Sequence, residues 1–470
     1  MNLEALQAAL GDPGRVSTGE SDRNVHGEDM TFHTRTPPDA VVYPVSTEEV
    51  SRVLALADEE VVPVTPFGAG SSLEGHVIPI EGGISLDLSR MDGILAVEPE
   101  NLTATVQPGA TRHALERAAG EHGLWFPVDP GADATLGGMA ATNAAGTTTI
   151  RFGKMRANVL ALEVVLPGGD VIRTGSRALK TSAGYDLTGL FVGSEGTLGV
   201  ITELTLRLYG IPEHVVAARI SFPSIEAACK TAVGAVAAGT GVRRLELLDE
   251  MNIRAINAYK GTTFPEVPSL FVEAAGSESS VEDDLQLVLS LAEEEGAVEV
   301  EHERDADRRA ELWAARHSAA YAWAHLWPGT RECVTDVCVP LAELPAAVTN
   351  AREIADRLGL RAGILGHVGD GNFHVGVAVD ADLPSDVEGW YELSRVVVED
   401  AVSRGGTCTG EHGVGIGKIP ALELEHPDLL PLYRGVKELF DPRGIMNPGK
   451  VVPRRTAAGS RSSSGRSAPA

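Results

Sequence analysis

Four cysteines in 470 residues, none in a CxxC pair, are too few for a disulfide scaffold. That scarcity is what a reduced, cytoplasmic setting predicts, and it leaves peripheral attachment at the inner face of the cell membrane open. Basic residues are short as well, 39 against 66 acidic ones. The resulting formal charge of −27 excludes the basic face that a nucleic-acid binder needs. No run approaches the roughly 18 consecutive apolar residues of a membrane span, so no integral membrane segment is expected. Met1 to Leu10 lacks both the basic start and apolar stretch of a signal peptide and the Arg-rich character of a transit peptide. Glycine, by contrast, is abundant: 52 residues, about 11% against a usual share of about 7%. These glycines follow no period, but they cluster, and the clusters mark candidate sites.

The chain reads as α+β. Val41–Val45, Val61–Val64, Ile84–Leu88, Ala104–Val106 and Leu198–Leu208 carry strand signals. Ser46 with Glu49 makes a capping box ahead of Val50, Val53 and Leu54, and Thr111 caps a helix through Ala119. Val159–Leu166 and Val171–Thr174, joined by Pro167-Gly168-Gly169-Asp170, predict a hairpin. Near Ile211-Pro212 the texture changes to Ala-rich helices (Ile225–Ala238, Ser280–Glu295, Ala346–Leu358) alternating with strands at Leu270–Ala274, Val334–Val339 and His374–Val379. The expected division is a lead-in over 1–35, a first domain over 36–212, a second over 213–438 and a returning segment over 439–453. From Arg454 to Ala470 four Arg and no acid predict a disordered tail.

Gly68-Ala69-Gly70-Ser71-Ser72 follows a strand and leaves backbone N–H groups open to phosphate oxygens. Its spacing to Gly75 fails the GxGxxG dinucleotide fingerprint. Two further loops, Asp129 to Gly146 and Val192 to Thr202, are equally rich in small residues, and a large flat ligand carrying a pyrophosphate would occupy the gap between them. Gly413-Val414-Gly415-Ile416-Gly417-Lys418 is not a nucleoside triphosphate loop, because His412 and Ile419 stand where that motif needs Gly and Ser or Thr.

Gly366-His367-Val368-Gly369-Asp370-Gly371-Asn372-Phe373-His374 reads as a tight hairpin turning at Asp370-Gly371. Counting outward pairs His367 with His374 on one face, at a separation suited to one divalent metal. Gly410-Glu411-His412-Gly413 supplies a carboxylate and a third imidazole. His367, His374 and Glu411 form a three-ligand set with an open position, and Zn and Mn both suit it. Arg316, in the helix-like segment Glu311 to Ser318, is on its residues alone an ordinary helix arginine.

Pro66 to Ser71 with Gly75, the segment from Thr135 to Asn143, and Gly193-Ser194-Glu195-Gly196-Thr197-Leu198-Gly199 resemble the FAD-binding half of the vanillyl-alcohol-oxidase type flavoproteins. The stretch from Leu312 to Leu341, with Thr335-Asp336-Val337-Cys338-Val339-Pro340, is similar to FAD-dependent D-lactate dehydrogenases of the cytochrome-linked type and their glycolate oxidase kin. The resemblance covers roughly 36–452. It implies a PCMH-type FAD-binding domain of two subdomains, followed by an α+β substrate domain with an antiparallel sheet and flanking helices. It implies FAD on Pro66, Phe67, Gly68, Ala69, Gly70, Ser71, Ser72, Pro130, Gly131, Thr135, Gly138, Asn143, Gly146, Glu195, Gly196, Val200, Ile201 and Asn447. Residues 67–72 contain no His, so the FAD is expected to be non-covalent. The matching Arg316 would clamp a substrate carboxylate and His412 would be the catalytic base, while His367, His374 and Glu411 would hold the metal. Asn372 would orient substrate or flavin. The implied reaction oxidises a D-2-hydroxy acid, D-lactate first, with glycolate and D-2-hydroxyglutarate as alternatives. Hydride would pass from C2 to flavin N5, then electrons to a quinone, a cytochrome or another carrier. A non-redox ether-lipid-synthase-like flavoprotein is the rival from another class. A homodimer is compatible with the sequence.

Overall fold

Ser46 accepts a hydrogen bond from Glu49 N and starts the helix Thr47–Glu60, whose Val50, Val53 and Leu54 are fully buried. This helix is the crossover between Ala40–Val42 and Val64–Phe67, which both pair in parallel with Ile84–Asp87. With Val16–Ser17 antiparallel at the edge, they make a four-stranded sheet. The computed structural model describes residues 1–31 and 33–453, so the tail expected over 454–470 lies outside the described residues.

A second sheet has five antiparallel strands in the order Ile94–Glu98, Thr103–Val106, Val200–Arg207, Val159–Val165 and Val171–Gly175. The predicted hairpin at 159–175 is present in it. The last segment of the chain returns to the first sheet: Met446 forms a parallel bridge with Val64, and Asn447 N donates to Val64 O.

From His214 onward the strands form one eight-stranded antiparallel sheet. Its two faces differ for a reason legible in side-chain alternation. Leu245 and Leu247, Leu270 and Val272, and Phe373, Val375 and Val377 point to a large apolar core. That core is closed by the helices Ile225–Ala237, Glu278–Glu294, Leu344–Arg357 and Pro384–Ser403. The intervening residues Arg244, Glu246, Glu273 and His374 point the other way. On that side Glu250–Lys260, Ala306–His317 and Ala319–Leu326 build a smaller core against Ala217, Leu248 and Phe271. Of these, Glu246, Glu273 and His374 are buried and Arg244 is half-buried, and a buried charge demands a partner.

Two expectations need correcting. Val334–Val339 is two short strands, Arg331–Val334 and Val337–Cys338, broken so that Asp336 turns inward and is fully buried. The hairpin register also differs from the outward count. Ala362–Gly366 pairs with Asn372–Val379 so that Leu365, not His367, stands opposite His374. Only Gly371 takes a positive φ (+79°), and Val368–Asp370 forms a 3-10 turn in place of a two-residue turn. The displacement is two residues, so it preserves the shared face of the two histidines.

Candidate active site

A cavity of about 750 Å³ runs from the 66–72 loop to the second face of the large sheet. Pro66 to Ser72 line it, with Pro130, Gly131, Thr135, Gly138, Gly146, Glu195, Gly196, Val200, Ile201 and Asn447. At its other end are Arg316, His367, His374, Glu411 and His412. Two expected residues are placed elsewhere. Asn143 ends the helix Leu136–Thr142 with a positive φ of 52°, and its side chain accepts from Arg156 N. Asn372 is also outside the cavity wall: its amide donates to Asp336 Oδ1 (2.7 Å) and Val337 O (2.8 Å).

The glycine loop fits an anionic ligand. The backbone N–H groups of Gly68 through Ser72 donate to no other described residue. A Cβ on Gly68 would collide with Thr135 Oγ1, and Gly70 has a φ of +66°, so glycine is required at both positions. The N–H groups of Leu136, Gly137 and Gly138, in contrast, are taken by Ala110 O, Pro108 O and Thr135 Oγ1. A pyrophosphate would therefore find free donors on the 68–72 loop. Asn447 ties the cavity rim together, its amide donating to His76 O and Glu195 O. The Glu195 carboxylate accepts from Val414 N and Gly415 N, which links the rim to the loop carrying Glu411 and His412.

The polar end is organised by two carboxylates with no role in the sequence reading. Glu246 Oε1 accepts from His367 Nδ1 at 2.7 Å, and Glu246 Oε2 accepts from Arg316 Nη2 at 2.6 Å. Burial opposes ionising Glu246, but His367 and Arg316 outweigh it and hold its carboxyl below its ordinary value. His374 Nδ1 donates to Thr335 O (3.0 Å). Both histidines thus have Nδ1 engaged and Nε2 turned to Glu411 Oε1, at 3.4 Å (His367) and 3.2 Å (His374). A hydrogen-bonded Nδ1 with Nε2 turned to a common point is how proteins orient metal-ligating imidazoles. The donor atoms of His367, His374 and Glu411 lie within 4.8 Å of one another, so the set fits a single divalent ion. Asp336, His374 and His412 are grouped as closely, but His374 Nδ1 already serves Thr335.

Asp336 is the second organiser. Its Oδ2 accepts from Thr409 Oγ1, Glu411 N and His412 N at 2.8, 3.0 and 2.9 Å, with Lys418 Nζ at 3.3 Å. Burial opposes its ionisation, yet Lys418, His412 and His374 hold it well below the usual carboxylate range. His412 stacks on His374 with ring centres 5.0 Å apart, and its Nδ1 is buried without a hydrogen-bond partner among the described residues. Burial pushes the His412 imidazole down to about 4 against the pull of Asp336, so it is neutral and able to take a proton. Asp336 stood in the stretch that carried the resemblance, but nothing marked it as buried. Glu246 had one signal, a charge alternating with leucines in Val242–Leu248, a strand covered on both faces.

A small-residue cavity with open backbone donors at one end and a His, Glu and Arg group at the other defines a flavoprotein oxidoreductase of two parts. Residues 38–175 match an FAD binding domain, and residues 211–451 match the C-terminal domain of FAD-linked oxidases. The chain belongs to the FAD-linked oxidase family. Two similar proteins illustrate its reach. The probable mitochondrial D-lactate dehydrogenase of Danio rerio is 42% identical, the match covering 96% of this chain and 91% of that one. The glycolate oxidase subunit GlcD of Bacillus subtilis is 37% identical over 93% of this chain and 94% of that one. Among solved structures, p-cresol methylhydroxylase superposes with a TM-score of 0.80 at 18% identity, covering 95% of each chain. That likeness concerns the fold alone and agrees with the PCMH-type architecture.

Proposed function

We propose that the protein oxidises a D-2-hydroxy acid, D-lactate first, to the 2-oxo acid. The observation that carries this reading is the convergence of His367 Nε2, His374 Nε2 and Glu411 Oε1 beside Arg316 and His412, at one end of the cavity. Glu246 holds one amino nitrogen of Arg316, and its buried Nε has no partner among the described residues, so an incoming carboxylate meets open donors on a fixed guanidinium. Neutral His412 accepts the hydroxyl proton. His367, His374 and Glu411 would hold a divalent metal, Zn or Mn by donor type, which would supply Lewis acidity at the hydroxyl. FAD, non-covalent given the absence of His from 67–72, supplies the hydride acceptor for C2.

Electrons then pass to a quinone, a cytochrome or another carrier, a reading supported by the name of a relative 41% identical over 96% of this chain, the D-lactate dehydrogenase [cytochrome] of Arabidopsis thaliana. The Bacillus subtilis relative makes glycolate the second candidate substrate. The test is anaerobic flavin bleaching with D- and L-lactate, glycolate and D-2-hydroxyglutarate, with and without chelator. Bleaching by D- but not L-lactate, slowed by chelation, is expected. Failure of every 2-hydroxy acid to bleach the flavin overturns the reading.

A further inference from the structure

We propose that the cavity beyond His374 is a subsite for the substrate's side chain, closed by Glu332, that favours a tail bearing a neutral hydrogen-bonding group such as a hydroxyl and disfavours a tail carboxylate. The inference rests on the hydroxy-acid reading above and names the substrate class within it.

Strand alternation places Glu332. Cys333 points into the large apolar core, so Glu332 and Val334 face the cavity, and both line it. They stand opposite Ala378 and Gly376 of Asn372–Val379, on the face that also carries His374. The Glu332 side chain leans back toward the site: a Cβ built on Gly376 would lie 3.2 Å from Glu332 Oε1. Gly376 is two residues from His374, about 7 Å along the strand. A three-carbon acid held at His374 stops short of Glu332, whereas an acid of about four or five carbons brings its tail within hydrogen-bond reach.

The chemistry of the position is unusual. The Glu332 carboxylate forms no hydrogen bond or ion pair with another described residue, and burial is the one influence on its ionisation. Burial alone pushes its carboxyl up to about 8, so near neutrality it is an un-ionised acid, able both to donate and to accept. A hydroxyl tail matches it. A second carboxylate would be desolvated beside it with little compensation, because buried Arg316 is committed to the reacting end and Arg331 at the mouth is exposed.

Three D-acids of one skeleton test this: 2-hydroxybutyrate, 2,4-dihydroxybutyrate and malate, ending in methyl, hydroxymethyl and carboxylate. The readouts are kcat/KM for dye reduction by the holoenzyme, and calorimetric Kd values for the matching 2-oxo acids, in wild type, Glu332→Gln and Glu332→Leu. Wild type is expected to favour the hydroxyl tail over the methyl by about tenfold, and over the carboxylate by about tenfold or more. Glu332→Leu should erase the preference for the hydroxyl, while Glu332→Gln should keep it and relax the rejection of malate. Equal ratios in all three proteins, or malate as the best wild-type substrate, overturn the subsite. If no acid reduces the flavin, the hydroxy-acid reading fails separately, and the calorimetric order of the 2-oxo acids still decides the role of Glu332.

Discussion

Arg316 Nη2 donates to Glu246 Oε2 at 2.6 Å, while the other oxygen of the same carboxylate holds His367 Nδ1. One buried carboxylate therefore sets the orientation of both the substrate clamp and a metal-ligating imidazole. Glu246→Gln keeps the shape but removes the charge, and its amide can accept from only one of the two partners. We expect kcat/KM for D-lactate to fall about 10- to 100-fold, with a parallel loss of bound metal measured by atomic emission. An unchanged metal content with full activity would mean that His367 needs no such support.

Asp336 anchors the loop that carries Glu411 and His412 through two backbone N–H groups, Thr409 and Lys418. Asp336→Asn turns an acceptor into a partial donor among donors and leaves the buried Lys418 with Glu74 as its one remaining carboxylate among the described residues. The expected cost is about 3–5 kcal/mol in urea unfolding, with loss of flavin reduction by D-lactate. Asn372→Ala removes only one buttress of Asp336 and should cost about 1–3 kcal/mol. If Asn372→Ala destroyed activity without any effect on stability, Asn372 would belong with the reacting groups after all.

Local rules carried the sequence reading far. Ser46 and Thr111 cap the helices they were expected to cap, and the strand signal at His374–Val379 falls within the observed strand Asn372–Val379. The 66–72 loop, Arg316, His367, His374, Glu411 and His412 all line one cavity. What escaped depended on long-range burial. Glu246 and Asp336 are polar residues in ordinary strand contexts, and only the packing of distant segments makes them organisers of the site. The register at Gly371 escaped for a different reason: a 3-10 turn and a two-residue turn share the same Asp-Gly signal. Asn372 and Asn143 were assigned through the resemblance; in the structure the Asn143 side chain accepts from Arg156 N, and the Asn372 amide donates to Asp336 and to Val337 O.

The loop from Gly68 to Ser72 gives a direct test of the cofactor reading. Gly68→Ala would drive a methyl into Thr135 Oγ1, the atom that caps Leu136–Thr142. Overpacking of this kind costs about 1–3 kcal/mol, so FAD binding should weaken roughly tenfold or more, seen as a lower ratio of 450 to 280 nm absorbance. Gly120→Ala is the control: its Cβ meets nothing within 4 Å and its helical backbone suits alanine, so FAD content should not change.

Glu332 also predicts a pH dependence of stability that is independent of turnover. Its carboxyl is raised by burial from the ordinary 4.5 to about 8 in the folded chain. Between those values the folded state binds more protons than the unfolded one, so stability falls as pH rises through that window. Below about 4.5 the contribution is fully present; above about 8 it is lost. Glu332→Gln has no proton to lose, so its advantage over wild type should be near zero at acidic pH. At alkaline pH it should reach about 2 kcal/mol, after allowance for the partial exposure of the side chain. Urea midpoints of both proteins at matched pH values measure this. Parallel pH curves for the two would show that Glu332 is ionised throughout and paired with a group in solution.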